Sequence, residues 1–287
     1  MYYSHNVQVN RKDELFLWCD NIAHLANNLY NAALYRQRQL MCAAKKPEEA
    51  LSENEKEVIA ELTEALPKMK QQRALPSSGF MSYTFLDDLF KTTKNRDYMA
   101  SLPRQTAQHV LKHVCRDMKS YFEAIKAYQK DPTIFTGTPQ LPHYKHKGGI
   151  CSFDITNQDC VVRKNNKGHY VAKLPLTKVT VSLGKDIPGR LKEVHVTPDN
   201  GVYRISFVFD DEKELPEVNA ELERICAIDL GVDNLMAVVN NIGAESLLFK
   251  GGAVKSLNHY YNRKIADMMS EQTKHSNKKY VPSKRYN

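Results

Sequence analysis

The chain has 287 residues, enough for two or three domains and at least one good core. Its 41 Lys and Arg outweigh 33 Asp and Glu, and the net charge of +8 favours an acidic partner, nucleic acid being the commonest. No pair among Cys19, Cys42, Cys115, Cys151, Cys160 and Cys226 has Cys-x-x-Cys spacing, no apolar run approaches the ~18 residues of a membrane span, and the start Met1-Tyr2-Tyr3-Ser4-His5 lacks the apolar core of a signal peptide. A zinc ribbon and a membrane protein are therefore not expected, and a cytoplasmic protein with reduced, packed thiols is.

Residues 1–10 alternate weakly and predict one strand. From Asp13 to Ala44 the apolar spacing becomes helical (Leu15, Trp18, Ile22, Leu25, Leu29, Ala33), and Trp18 falls in the core stripe. Ser52-Glu53-Asn54-Glu55 reads as a capping box opening a second helix toward Gln72, with Pro67 kinking or ending it. Glutamates crowd residues 45–70 and are expected to face solvent or repel a wrong partner. A short helix is predicted over Phe80–Lys91, and a long one from Ser101 and Pro103 through Ala107, Val110, Leu111, Val114, Met118, Phe122 and Ile125. Beyond Asp131, Pro and Gly punctuate a loop-rich passage, and six strand-like runs follow: Cys151–Thr156, Asp159–Arg163, His169–Leu174, Lys178–Ser182, Leu191–Thr197 and Val202–Asp210. Turns such as Asp199-Asn200-Gly201 separate them, which predicts a small β-barrel or sandwich. Residues 211–222 read as a polar linker. The last segment reads as strand (Arg224–Leu230), strand (Leu235–Asn240), strand (Glu245–Lys250) and a helix from about Leu257, the order in which a ribonuclease-H-like domain starts.

Chemistry concentrates in four places. Ile225-Cys226-Ala227-Ile228-Asp229-Leu230-Gly231-Val232-Asp233-Asn234 delivers one carboxylate, Asp229, at a strand end, where burying its charge needs a cation or hydrogen bonds. Asp229 reads either as one corner of a two-metal phosphodiesterase site or as a turn-opening aspartate, while Asp233 and Asn234 serve the turn. Downstream only Glu245, Asp267 and Glu271 offer further carboxylates, and none is an expected ligand. The basic tail, with Lys255, Arg263, Lys264, Lys278 and Lys279 among interleaved tyrosines, suits phosphate contacts and base stacking, or is a solvated helix end. Arg104, Gln105 and Gln108 at a helix start suit phosphates or base edges, or belong to an ordinary capped helix. Pro142-His143-Tyr144-Lys145-His146-Lys147 is a basic aromatic loop that either clamps a phosphate backbone or simply connects.

In their order, several stretches resemble the TnpB-type RNA-guided DNA endonucleases of insertion-sequence transposons, relatives of the type V CRISPR effectors. They are Leu29-Tyr-Asn-Ala-Ala-Leu-Tyr35 with Arg38-Gln39, Leu102-Pro-Arg-Gln-Thr-Ala-Gln-His-Val-Leu, Pro142-His-Tyr-Lys, Ser152-Phe-Asp-Ile-Thr-Asn, Pro188-Gly, Ala227-Ile-Asp-Leu-Gly-Val-Asp-Asn and Lys255-Ser-Leu-Asn-His-Tyr-Tyr-Asn-Arg-Lys. The resemblance implies an α+β architecture. Residues 1–10 and 140–222 would form a wedge-like, oligonucleotide-binding-like β-barrel, residues 11–139 a helical recognition lobe inserted in it, and residues 223–287 the opening of an incomplete RuvC nuclease domain. It also implies a guide RNA from the transposon end, double-stranded target DNA with an adjacent motif, and Mg²⁺ at a site whose first carboxylate is Asp229. His143, Tyr144, Lys145, Lys147 and the basic residues above lie on the implied nucleic-acid surfaces.

The family's later catalytic Glu, zinc ribbon and final Asp have no counterpart in this sequence. The expectation is a bacterial, nucleoid-associated protein that binds without cleaving on its own, or whose missing nuclease half lies on a second chain. A non-catalytic RNA-guided regulator is the second reading. An actin-like or sugar-kinase-type ATPase, which also places Asp-x-Gly after a first strand, is a distant third.

Overall fold

The computed structural model describes residues 2–71, 74–99, 102–187, 189–211, 224–231 and 233–274. It divides into two compact units, residues 1–214 and 215–287. In the first, strand β1 (Tyr2–Val9) leads into helix α1 (Glu14–Ala43). Helices α2 (Glu53–Ala65), α3 (Tyr83–Thr92), α4 (Arg96–Met99) and α5 (Arg104–Lys130) follow. Six strands come next: β2 (Phe153–Thr156), β3 (Val161–Lys164), β4 (Tyr170–Lys173), β5 (Thr180–Gly184), β6 (Arg190–Asp199) and β7 (Val202–Asp210). The second unit holds β8 (Cys226–Asp229), β9 (Asn234–Asn240), β10 (Leu247–Lys250) and α6 (Gly252–Lys274).

Local chemistry accounts for most boundaries. The Ser52 hydroxyl accepts from the Glu55 amide at 3.3 Å while the Glu55 carboxylate accepts from the Ser52 amide at 2.8 Å, closing the capping box at the start of α2. Helix α2 ends at Ala65, short of Gln72, and Pro67, expected to kink or end it, sits in a single 3₁₀ turn after it. Helix α6 starts at Gly252, ahead of the expected Leu257. The acidic stretch is compensated close by: Arg36 meets Glu61 at 2.9 Å, Lys46 meets Glu55 at 2.7 Å, Lys56 meets Glu53 at 2.9 Å and Lys68 meets Glu64 at 2.8 Å.

The strands of the first unit form a four-stranded antiparallel sheet in the order β1-β7-β6-β2 and a three-stranded antiparallel sheet in the order β3-β4-β5. No strand pairing joins the two among the described residues, so the strands expected to make one barrel stand here as two sheets. The N-terminal strand pairs along its whole length with β7, Tyr2 opposite Asp210 and Val9 opposite Tyr203. The β6–β7 turn is the two-residue Asn200-Gly201, with φ of 47° and 86°, as a type I′ hairpin requires. Pro198, which has no N–H to donate, lies past the end of β2's pairing with Glu193–Val196.

Helices α1 and α5 pack against each other and against β2. The core joins Ile22, Leu29 and Leu34 of α1, Phe90 of α3 and Leu111 and Met118 of α5 to Phe153, Ile155, Val194, Ile205, Phe207 and Phe209. Trp18 is half-buried against it, edge-on to Phe153, with its indole N–H on the Pro175 carbonyl at 2.9 Å. Burial pushes the thiols of Cys115 and Cys151 up to about 11 and those of Cys19 and Cys160 up to about 12, which fits packed rather than reactive cysteines. Cys226 is exposed. No helix among the described residues is long and apolar enough to cross a membrane.

Gly189 explains one of the quoted sequence fragments. It has φ of 64°, and a Cβ there would lie 1.8 Å from the Asp210 carbonyl oxygen, where β6 begins to pair with the end of β7. Gly189→Ala combines a left-handed backbone with a backbone clash, so urea denaturation should show a loss on the order of 2 kcal/mol.

Candidate functional site

The basic aromatic segment is an extended strap laid antiparallel to α1. His24, Asn27, Asn31 and Arg38 share one face of that helix at spacings of three, four and seven. His24 Nδ1 meets the Gly149 carbonyl at 2.9 Å, Asn27 donates to the His146 carbonyl at 3.0 Å, and Arg38 donates to the Pro142 carbonyl at 3.2 Å. Asn31 grips Lys145 from both sides, donating to its carbonyl at 3.0 Å and accepting from its amide at 2.8 Å. With these backbone groups held by α1, the strap leaves the side chains of His143, Tyr144 and Lys147 exposed. The Arg38 guanidinium lies 4.9 Å from the Tyr144 ring centre and the Lys145 ammonium 4.5 Å from that of Tyr30. Burial against α1 raises the Tyr144 phenol above its ordinary range, although the residue remains 43% exposed.

The start of α5 is largely engaged inside the protein. Gln105 bonds Gln158 at 3.1 Å, and Gln108 faces Asp87 at 3.5 Å. Thr106 is fully buried and donates to the Asp154 carbonyl at 2.9 Å. Arg104 is exposed. One turn further along, His113 Nε2 lies 2.8 Å from Asp154 Oδ2 and His109 Nδ1 3.8 Å from the same oxygen. From β6, His195 Nδ1 lies 2.6 Å from Asp154 Oδ1, and its Nε2 lies 3.2 Å from Glu193. Burial alone would raise the Asp154 carboxyl; hydrogen bonds from His109, His113 and His195 outweigh it and hold the group well below the usual carboxylate range. This cluster was not read from the sequence. Its one local signal is His109-x-x-x-His113 on a helix face; Asp154 and His195 come from distant strands.

In the second unit Asp229 ends β8, with Ala237 across the ladder. It is exposed, so the buried charge inferred from the apolar run is not what the structure shows. The reason is that, among the described residues, β8 pairs only with β9, in the order β10-β9-β8, and Ile228 and Leu230 on either side are exposed too. Asp233 holds the turn as expected: Lys255 at the start of α6 bonds it, and that hydrogen bond, with the lysine's charge, lowers the Asp233 carboxyl. Lys255 therefore has an intramolecular partner, an engagement the phosphate-contact reading did not include. Arg263 is exposed, and Lys264 stacks 5.7 Å from the Tyr260 ring centre. Glu245, Asp267 and Glu271 are exposed. Lys278 and Lys279 lie outside the described residues. Among the described residues no three His, Cys, Asp or Glu side chains form a group fit to hold a metal ion.

No curated protein matches the sequence. Among the solved structures similar to it are two complexes. A "CRISPR-Cas12f Ternary Complex" aligns at 11% identity and a TM-score of 0.24, over 92% of this chain and 55% of that one. A "Cas12f1-sgRNA-target DNA complex" aligns at 10% identity and a TM-score of 0.22, over 96% and 65%. The chain thus spans less than two thirds of the length of either. Residues 202–285 match the family described as probable transposase, OrfB_IS605. That segment includes β7, the Asp229 turn, the three-stranded sheet and α6. The match is confined to residues 202–285, and it falls on the segment that carries the last two of the ordered motifs.

Proposed function

We propose that this chain is the nucleic-acid-binding, N-terminal part of a TnpB-like RNA-guided endonuclease, holding guide RNA and double-stranded target DNA and not cutting on its own. The observation that carries the reading is the match of residues 202–285 to probable transposases. In this reading β1 and residues 140–222 act as the wedge, residues 11–139 as the recognition lobe and residues 223–287 as the opening of the nuclease domain. Asp229 is the first metal-binding carboxylate, and the remaining ligands come from outside the described residues or from a second chain.

The strap gives the binding reading a physical basis. A flexible loop that grips a phosphate backbone must first give up conformational freedom. Here α1 has already ordered the segment, and its cationic and aromatic groups are displayed together. Tyr144, backed by Arg38, offers a ring on which an unpaired base can stack, with Lys147 and His143 beside it for phosphate. Net charge of +8 draws any polyanion toward the surface.

Two measurements test this. Affinity of the purified chain for single-stranded RNA should fall with salt, log K dropping by ~0.7 per phosphate contact for each log unit of salt, and a flat response would remove the electrostatic basis. In the same assay Tyr144→Ala should weaken binding by about 1 kcal/mol or more while leaving the salt slope unchanged, because it deletes a stacking surface and no charge. Mg²⁺-dependent DNA cutting by the chain alone, abolished in Asp229→Ala, would overturn the non-cleaving part of the proposal.

A further inference from the structure

Three imidazoles on one carboxylate is more than a helix–sheet joint needs. Asp154 and His195 face each other directly across the β2–β6 ladder, and α5 brings His109 and His113 onto the same carboxylate. The Asp154 side chain is only 14% exposed, and the three imidazoles are between 21% and 39% exposed. The charged and titratable groups that meet there are Asp154 from β2, His109 and His113 from α5, and His195 and Glu193 from β6. Cys151 lies near as a neutral thiol, and β7 places the uncharged Ser206 opposite His195. Two carboxylates thus face three histidines, and the number of protons the histidines carry sets the charge of the joint.

We propose that this cluster is a proton-operated latch that holds the start of α5 to β2 and β6, tight in mild acid and looser above neutrality. The device goes beyond the nucleic-acid reading and does not depend on it. Its direction follows from the groups. The hydrogen bond to Asp154 outweighs partial burial and, with the charges of Asp154 and Glu193, raises His195 above its ordinary value. A raised imidazole adds stability that is fully present below about pH 6.5, its unfolded value, and is lost as pH rises through the folded value. Asp154 works the other way, since its lowered carboxyl adds stability above about pH 4 that is lost only in strong acid. Through the neutral range, then, Asp154 stays charged while His195 gives up its proton as the pH rises. Thr106 and the two α5 histidines tie the first turns of that helix to the same point, so Arg104, Gln105 and Gln108 move with the latch.

Hydrogen exchange of the 104–113 amides tests it on the full chain, with EDTA present, corrected for intrinsic rates, from about pH 5.5 to about pH 8.5. Protection in the wild type should fall by about three- to tenfold across that range relative to His195→Gln, which keeps a donor and cannot titrate. Parallel profiles for the two proteins overturn the latch. The imidazole resonances of the unmutated chain provide a second reading that does not depend on a variant folding. His195 titrating above the ordinary histidine range supports the proposal, and a midpoint at or below that range refutes it.

Discussion

The arrangement of the first unit depends on how polar groups are satisfied where two helices meet a sheet. Burying a carboxylate or phenol without a partner costs several kcal/mol, so such groups appear in the interior only where another element answers them. Asp154 is answered from α5 and β6, Tyr203 by Asp20 at 2.8 Å, Tyr30 by Asp117 at 2.6 Å and Tyr98 by Asp87 at 2.5 Å. The bonds of Asp154, Tyr203 and Tyr30 join elements far apart in sequence, while that of Tyr98 joins the neighbouring helices α4 and α3. Apolar contact would let α1 and α5 slide on the sheet at small cost, whereas a shift of about one turn breaks the Asp154 and Tyr203 pairs and strands a buried polar atom. The helices are thereby held in one register relative to the strands.

The strap follows from the same constraint. A Pro- and Gly-rich segment crossing a helix cannot use a ladder to satisfy its own carbonyls, and α1 supplies side chains in their place. Those side chains had to be polar and had to recur at helical spacing, as His24, Asn27, Asn31 and Arg38 do. Their polarity is thus explained before any ligand is considered. What remains for a ligand is the outward set, His143, Tyr144 and Lys147, whose positions the α1 contacts fix.

Legibility in the sequence tracked distance along the chain. The capping box at Ser52, the Asn200-Gly201 hairpin, the apolar stripe of α1 and the strand–turn–strand run around Asp229 are all local, and each could be read from adjacent residues. The pairing of β1 with β7 spans about two hundred positions, and nothing in Tyr2–Val9 names its partner. The same holds for Asn31 with Lys145 and for Asp154 with His195, where the relevant property of each residue is a neighbour over forty positions away. At Asp229 the reading went astray for a related reason. An apolar run implies burial, but burial is a property of what packs on the strand, and Ile228, Leu230, Val239 and Phe249 are exposed among the described residues of their unit.

The fragments that carry the family resemblance look different once placed. Thr106 and His109 of the 102–111 stretch and Asp154 of the 152–157 stretch meet at one joint. Gly189 is required where β6 begins against β7, and Asn31 clamps the strap. Asp233 and Lys255, quoted in two separate fragments, are partners in one turn. A residue that must fit a backbone at 1.8 Å or satisfy a buried carboxylate tolerates few replacements, while an exposed lysine contacting a phosphate can be moved to a neighbouring position at little cost. A motif shared across distant relatives should then mark joints of the scaffold at least as often as contacts with the ligand. By that argument several of the recognisable residues of this chain secure its shape, whereas an exposed residue outside the quoted fragments, such as Lys147, is freer to change.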